Sequence, residues 1–252
     1  MGWGEFFALA SAFSWAWAII LFRRAGDALP PFELNLFKNL LGFSLVLPTM
    51  AFFEGYRLPA FTLEEIGIAL VSGFLGIAVA DTWYLRALSL MGASRTGIVA
   101  SLLSPFVILL SILFLGESLR GWQLAGFGLV MAGILLVTWR QKRREVDAAN
   151  LRKGVFFGVG AMVLMAVGIV MVKGILETRP FLWTTELRLL GGIAGMLIYV
   201  ALRGRLETVW ERFRQPLPWR HILPASVLGA YVSMMMWLAA ASRVPPARRL
   251  RR

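Results

Sequence analysis

Eight runs of mostly apolar residues dominate the chain, each close to the roughly 20 residues that a helix needs to cross a bilayer. They are predicted at approximately Trp3–Phe22, Phe32–Phe53, Ile66–Met91, Thr96–Leu115, Trp122–Trp139, Gly154–Leu176, Phe181–Leu202 and Ile222–Ala241. In hydrocarbon each backbone N–H and C=O must be satisfied within its own segment, so such runs predict helices. A membrane β-barrel would alternate polar and apolar residues over roughly ten-residue strands, and no such alternation is present. Of the 252 residues, 58% are hydrophobic and only 16% charged, too few polar groups to cover a soluble domain. The expected fold is therefore all-α, a polytopic membrane helix bundle.

Charge and terminal patterns narrow the classes further. The formal charge is +12, but the basic residues sit between apolar runs and form no continuous basic face, which excludes nucleic acid as a partner. The first run has no positive segment before it, and Arg23 and Arg24 follow where a small-residue cleavage site would stand. It reads as a membrane helix rather than a signal peptide. With no Cys in the chain, disulfides do not enter the argument.

The linkers carry turn residues: Gly26, Pro30 and Pro31 in the first, Gly55 and Pro59 in the second, Pro216 and Pro218 in a longer polar stretch over 203–220. An internal repeat spans the charged segment 140–153. Gly4, Phe6, Phe7, Ala16 and Ile19 recur as Gly154, Phe156, Phe157, Ala166 and Ile169. Pro31, Phe32, Leu40, Leu41 and Gly42 recur as Pro180, Phe181, Leu189, Leu190 and Gly191. Gly76, Leu85 and Ala87 recur more weakly as Gly229, Leu238 and Ala240. This predicts a first five-helix repeat over residues 1–139, a charged linker over 140–153, an incomplete second repeat over 154–241 and a basic tail over 242–252. An odd number of helices in the first repeat inverts the second, and such inverted halves place a substrate site at their interface. The repeat pattern stops near Ser242, so the reading expects a truncation or a shifted frame at that point. Lys and Arg concentrate in the loops after the first, third, fifth and seventh runs, favouring an external N-terminus and a cytoplasmic linker.

The stretch Gly73-Phe-Leu-Gly-Ile-Ala-Val-Ala-Asp-Thr-Trp-Tyr-Leu-Arg-Ala-Leu88 resembles the third helix of EamA-type domains in the drug/metabolite transporter superfamily. Ala93-Ser-Arg-Thr-Gly97, Ser104-Pro105, Leu113-Phe-Leu-Gly-Glu117 and Gly126 to Gly133 continue the resemblance. It implies ten helices in two inverted five-helix halves, and export or exchange of small metabolites such as amino acids or drug-like compounds across the cell membrane. The chain departs from that pattern in lacking the last two helices. The implied partners are a small-molecule substrate and membrane lipid, with the oligomeric state open.

Several intramembrane residues are candidates for the transport site. Ionisable groups in a span are costly and mark function or ion pairing. Asp81 lies near the middle of the third run, with Lys38 and Arg86 in the same half of the membrane. Asp81 with either cation is read as a structural pair or as part of a substrate or proton site. Glu186 and Arg188, two residues apart, do not share a helix face, so each needs its own partner or snorkels to the interface. Trp15, Trp83, Tyr84 and Trp237 either line a cavity for flat or amphipathic molecules or pack against neighbours and lipid. Pro105 removes a helical hydrogen bond and is expected to kink the fourth helix beside Ser104. Gly154-x-x-x-Gly158 and Gly191-x-x-x-Gly195 permit close helix approach.

Rival classes fit less well. The single His, His221, has no positioned acid beside it, so an intramembrane enzyme is disfavoured. No Cys ligand set and no Gly-rich phosphate loop suggest a metal or ATP site, and no cofactor is expected. A lipid-headgroup flippase, a channel-like membrane subunit or an inactive fragment are the remaining alternatives.

Overall fold

The computed structural model describes residues 3–57, 59–116, 121, 126, 128, 129, 132, 133 and 147–243. Most of the predicted fifth span, half of the charged linker and the basic tail from residue 244 onward lie outside the described residues. Among the described residues there is no strand. Seven helices are long and apolar enough to cross a membrane: α1 (Trp3–Ala25), α2 (Pro31–Phe53), α3 (Leu63–Met91), α4 (Ala93–Leu115), α5 (Ala148–Thr178), α6 (Phe181–Leu202) and, after a shorter helix, α8 (Trp219–Ala240). The shorter helix is α7 (Leu206–Arg214).

Local chemistry sets several boundaries. α2 begins with Pro31 in its first turn, where a missing N–H costs nothing. α3 starts three residues before its predicted position, because Thr62 and Glu65 form a reciprocal capping box. α5 starts six residues early, with the Asp147 carboxylate accepting from the Asn150 N–H. α4 is broken at Ser101–Leu102, just ahead of Pro105, where the proline ring removes a backbone donor. α7 was predicted only as polar loop. Its apolar residues Leu206, Val209, Trp210 and Phe213 recur at helical spacing against Glu207, Glu211, Arg212 and Arg214, a pattern too short to stand out from a Pro-flanked linker.

The surface is apolar and much of the polar content is inside. Phe13, Phe52, Phe114 and Leu202 are largely exposed, whereas Asn35, Lys38, Thr96, Thr184 and Ser226 are buried. An exposed apolar belt of this extent suits lipid and not water.

Contacts fix the relative directions of the helices. Ala18 and Phe22 of α1 meet Ile222 and Ala225 near the start of α8, while Ser11 bonds the Ser233 carbonyl further along it. α1 and α8 therefore run antiparallel. α5 and α3 do the same: Gly154 faces Met91, and Gly168 faces Ser72 and Gly76. Phe32 meets Tyr199 at one end of the α2–α6 pair, and Met50 meets Leu182 at the other. Among the described helices, α2 thus runs opposite to its repeat counterpart α6. The α1–α8 and α5–α3 contacts are related by the same exchange, as two inverted halves require.

A second sign of the repeat lies inside the helices. α3 and α8 each contain a π-helical segment, Phe74–Ala80 and Val227–Val232. Their starts differ by the same offset as Gly76 and Gly229 (227 − 74 = 229 − 76 = 153). A π turn widens the helix and leaves carbonyls under-bonded, and such turns recur at functional sites.

Backbone contact between the halves is closest where α3 crosses α6. A Cβ built on Gly73 would stand 1.8 Å from the Arg188 carbonyl oxygen, and one on Gly191 2.2 Å from that of Leu70. Small residues at both positions let the helices meet main chain to main chain.

Candidate functional site

The site grows from one face of α2. Asn35, Lys38 and Asn39 are spaced i, i+3, i+4, so their side chains share a face and turn toward α3 and α6. Asn35 Nδ2 donates to the Ile77 carbonyl at 2.8 Å, to the Ala78 carbonyl at 3.3 Å and to Thr82 Oγ1 at 2.9 Å. These acceptors lie in or just beyond the π segment of α3, so the amide ties α2 to that segment. Asn39 in turn donates to Asn35 Oδ1 at 3.0 Å and orients it.

One turn further on, Lys38 donates to Asp81, the first residue after the π segment. Of the two cations the sequence offered Asp81, Lys38 is the one bonded to it. Arg188 of α6 and Tyr84 lie within electrostatic reach of the same carboxylate. The centre of the bundle is therefore an ion pair flanked by a second cation, joined to an amide network.

Above this polar layer lies a cavity of about 550 Å³. It falls between the halves: its walls come from the start of α2, the π region of α3, the latter part of α6, and α7. Phe74, Trp83, Phe157 and Tyr199 supply aromatic surface, and Ala78, Val79 and Met196 aliphatic surface. Trp83 lies against α5 with its ring over Gly160, where a Cβ would come within 2.7 Å. Arg86, Arg205 and Arg212 stand at the wall with their side chains exposed, beside the buried Glu33. α7 crosses this mouth. Val209 packs with Phe32 and Leu36, and Phe213 stacks near Phe37 with centroids 6.2 Å apart.

The opposite end of the bundle is tied shut across the halves. Arg179, just after α5, donates to both carboxylate oxygens of Glu65 at 2.8 and 2.9 Å. Glu54, at the end of α2, accepts from the Leu182 and Trp183 N–H groups at 3.1 and 3.0 Å. A carboxylate there satisfies orphan donors and faces the positive end of the α6 dipole.

The sequence-predicted residues thus separate. Trp83 and Arg86 line the cavity, with the Lys38–Asp81 pair beneath it. Trp15 and Tyr84 do not line it: they stack at 6.4 Å and pack with Ala161 and Met162. Trp237 lies against Phe181 at 5.4 Å, half exposed on the outer surface. Ser104 is exposed on α4 and Pro105 marks its break, both away from the cavity wall. Glu186 is buried with neither carboxylate oxygen hydrogen-bonded, and Arg188 has its Nε enclosed without a partner. Neither lines the cavity. Asn35, Asn39, Glu33, Arg205 and Arg212 were not singled out as site residues from sequence. The signal for the first two was present: three polar residues on one face of an otherwise apolar span.

A bundle of membrane-length helices in two inverted halves, with a solute-sized cavity between them open at one end and tied at the other, is the architecture of a polytopic membrane transporter. The family model described as EamA-like transporter family matches residues 2–139 and 152–249. The chain belongs to this family, within the drug/metabolite transporter superfamily, whose members are membrane transporters rather than enzymes. A crystal structure of a protein shares the fold at a TM-score of 0.58 and 19% sequence identity, over 95% of this chain and 84% of that chain. No curated protein matches the chain.

Proposed function

We propose that the chain is a secondary transporter that exports or exchanges small metabolites, such as amino acids or drug-like compounds, across the plasma membrane by alternating access. The observation that carries this reading is the asymmetry of the interface between the halves. It holds a cavity at one end and two cross-half carboxylate contacts, Glu65–Arg179 and Glu54 on the start of α6, at the other. The open end is the one bearing the basic loops at 23–31 and 203–220, which the positive-inside rule assigns to the cytoplasm. The arrangement corresponds to an inward-open state. Rocking of one half against the other would close the cavity behind α7 and part the tied end, with the Lys38–Asp81 layer as the central barrier. With no nucleotide site in the reading, the driving force is an ion gradient or exchange.

The test is counterflow. Purified protein in proteoliposomes preloaded with unlabelled amino acids is expected to take up labelled amino acids transiently above equilibrium, with saturation. Val79→Trp, which fills the cavity, should abolish the overshoot. Flux without overshoot, untouched by Val79→Trp, would replace the carrier with a channel-like path. Absence of flux across a broad metabolite panel would remove the transport reading for this chain.

A further inference from the structure

We infer that the cavity is built for organic anions with an apolar, preferably aromatic, body. The inference rests on the cavity being the substrate site, and deepens that reading by naming the chemical class. Three guanidinium groups, Arg86, Arg205 and Arg212, face one carboxylate, Glu33, among its lining residues, an excess of two positive charges. None of the three arginines makes an ion pair among the described residues, and all three are exposed at the mouth. Lys38 and Arg179, by contrast, are held by Asp81 and Glu65. The guanidinium fork matches the geometry of a carboxylate or phosphate, which it binds through two parallel charge-assisted bonds. Apolar walls beneath the arginines exclude water and strengthen their field at the mouth.

The floor and sides have the opposite character. Phe74, Trp83, Phe157 and Tyr199 present flat surface, and among the described residues no charged side chain other than Glu33 and the three arginines lines the cavity. A volume of about 550 Å³ lies within the range of small-molecule sites. An amphipathic molecule placed with its acid group at the arginines and its ring toward Trp83 and Met196 satisfies both ends. A cation in the same pose meets like charge. A bare inorganic anion leaves the aromatic surface unused.

Arg212 lies in α7 and Arg205 directly precedes it, and α7 docks on α2 through Val209 and Phe213. An anion bridging Arg86 of the first half to Arg205 and Arg212 of the second therefore links the halves at the open end. The same anionic chemistry is available from a lipid headgroup entering at the mouth, and the experiment separates the two sources.

The chain contains no Cys, so a single introduced thiol reports cleanly. Val79→Cys, with Tyr199→Cys as a second reporter, is labelled with a thiol reagent in phosphatidylcholine nanodiscs. Three probes share one ring and differ in the head: phenylacetate, phenylacetamide and phenethylamine. Phenylacetate is expected to protect the thiol at a concentration at least about fivefold below that of either other probe. Adding Arg86→Gln and Arg212→Gln should remove that preference. Equal protection by all three, preference for phenethylamine, or protection by none overturns the inference. So does protection by inorganic phosphate as good as by phenylacetate, which would make the site a simple anion site. Nanodiscs containing phosphatidylglycerol distinguish the lipid source: full protection without any probe, with no further effect of phenylacetate, overturns the assignment to a free solute. The assay reads binding and not flux. Counterflow can fail while the anion preference stands, and the preference can fail in a protein that still transports.

Discussion

Arg179 holds both carboxylate oxygens of Glu65, joining the end of α5 to the first turn of α3 at the end of the bundle opposite the cavity. The two residues lie 114 positions apart and belong to different halves, so the contact ties the halves together at that end. The hydrogen-bonded Glu65 carboxylate also holds the Arg179 guanidinium above its ordinary pKa.

If this pair is a latch, Glu65→Gln and Arg179→Gln should each shift the protein toward the state open at the tied end. The expected readout is labelling of a single thiol at Trp183→Cys, faster by up to about fivefold, the scale of a partly exposed ion pair. The exchanged double variant, Glu65→Arg with Arg179→Glu, should restore the slower rate. A rate that ignores both single variants would show that the pair is bystander surface chemistry.

The Lys38–Asp81 pair is the buried counterpart. Asp81→Asn leaves the Lys38 ammonium enclosed with its side chain only 8% exposed. Breaking such a pair by removing one partner costs about 3–5 kcal/mol, so the variant should unfold at clearly lower temperature in detergent. Lys38→Met with Asp81→Leu, which removes both charges, should lose much less. A separate measurement of flux against pH tests coupling: an unchanged profile in Asp81→Asn takes this carboxylate out of any proton step.

Asn35 should matter through the π segment rather than through substrate. Asn35→Leu strips the Ile77 and Ala78 carbonyls of a shared donor and is expected to cost about 1–3 kcal/mol of stability. Ser44→Ala, which removes only an exposed hydroxyl bond to the Leu40 carbonyl, should stay within about 0.5 kcal/mol. Thermal unfolding of the two variants side by side checks the difference.

The α3–α6 crossing gives the sharpest steric test. Gly73→Ala or Gly191→Ala drives a methyl group into a carbonyl of the other helix, and should destabilise by about 1–3 kcal/mol or prevent assembly. Gly97→Ala in α4, where a Cβ meets nothing within 4 Å, should change stability by less than about 1 kcal/mol. Equal effects at the two kinds of site would mean that the helices do not cross as described.

Much of this architecture was legible in the chain itself. Membrane spans follow from hydrophobic length alone, because lipid imposes internal hydrogen bonding on each segment. The repeat was legible because duplicated halves keep residues such as Gly76 and Gly229 in register, and both turned out to lie in π segments. Asp81 and Lys38 stood out because a charge in a span has few alternatives to pairing.

What tertiary structure alone decided was the facing of side chains. Hydropathy is the same for a tryptophan that packs and one that lines a cavity: Trp15 went into the core with Tyr84, Trp237 to the outer surface, and Trp83 to the cavity wall. Choosing Lys38 over Arg86 for Asp81 depended on how α2 is rotated against α3, which composition does not encode. Arg205 and Arg212 reached the mouth only because a short amphipathic helix folded back onto α2. Length and polarity are local properties that a span carries wherever it sits. Facing is a relation between helices, and it exists only once their backbones have met at residues such as Gly73 and Gly191.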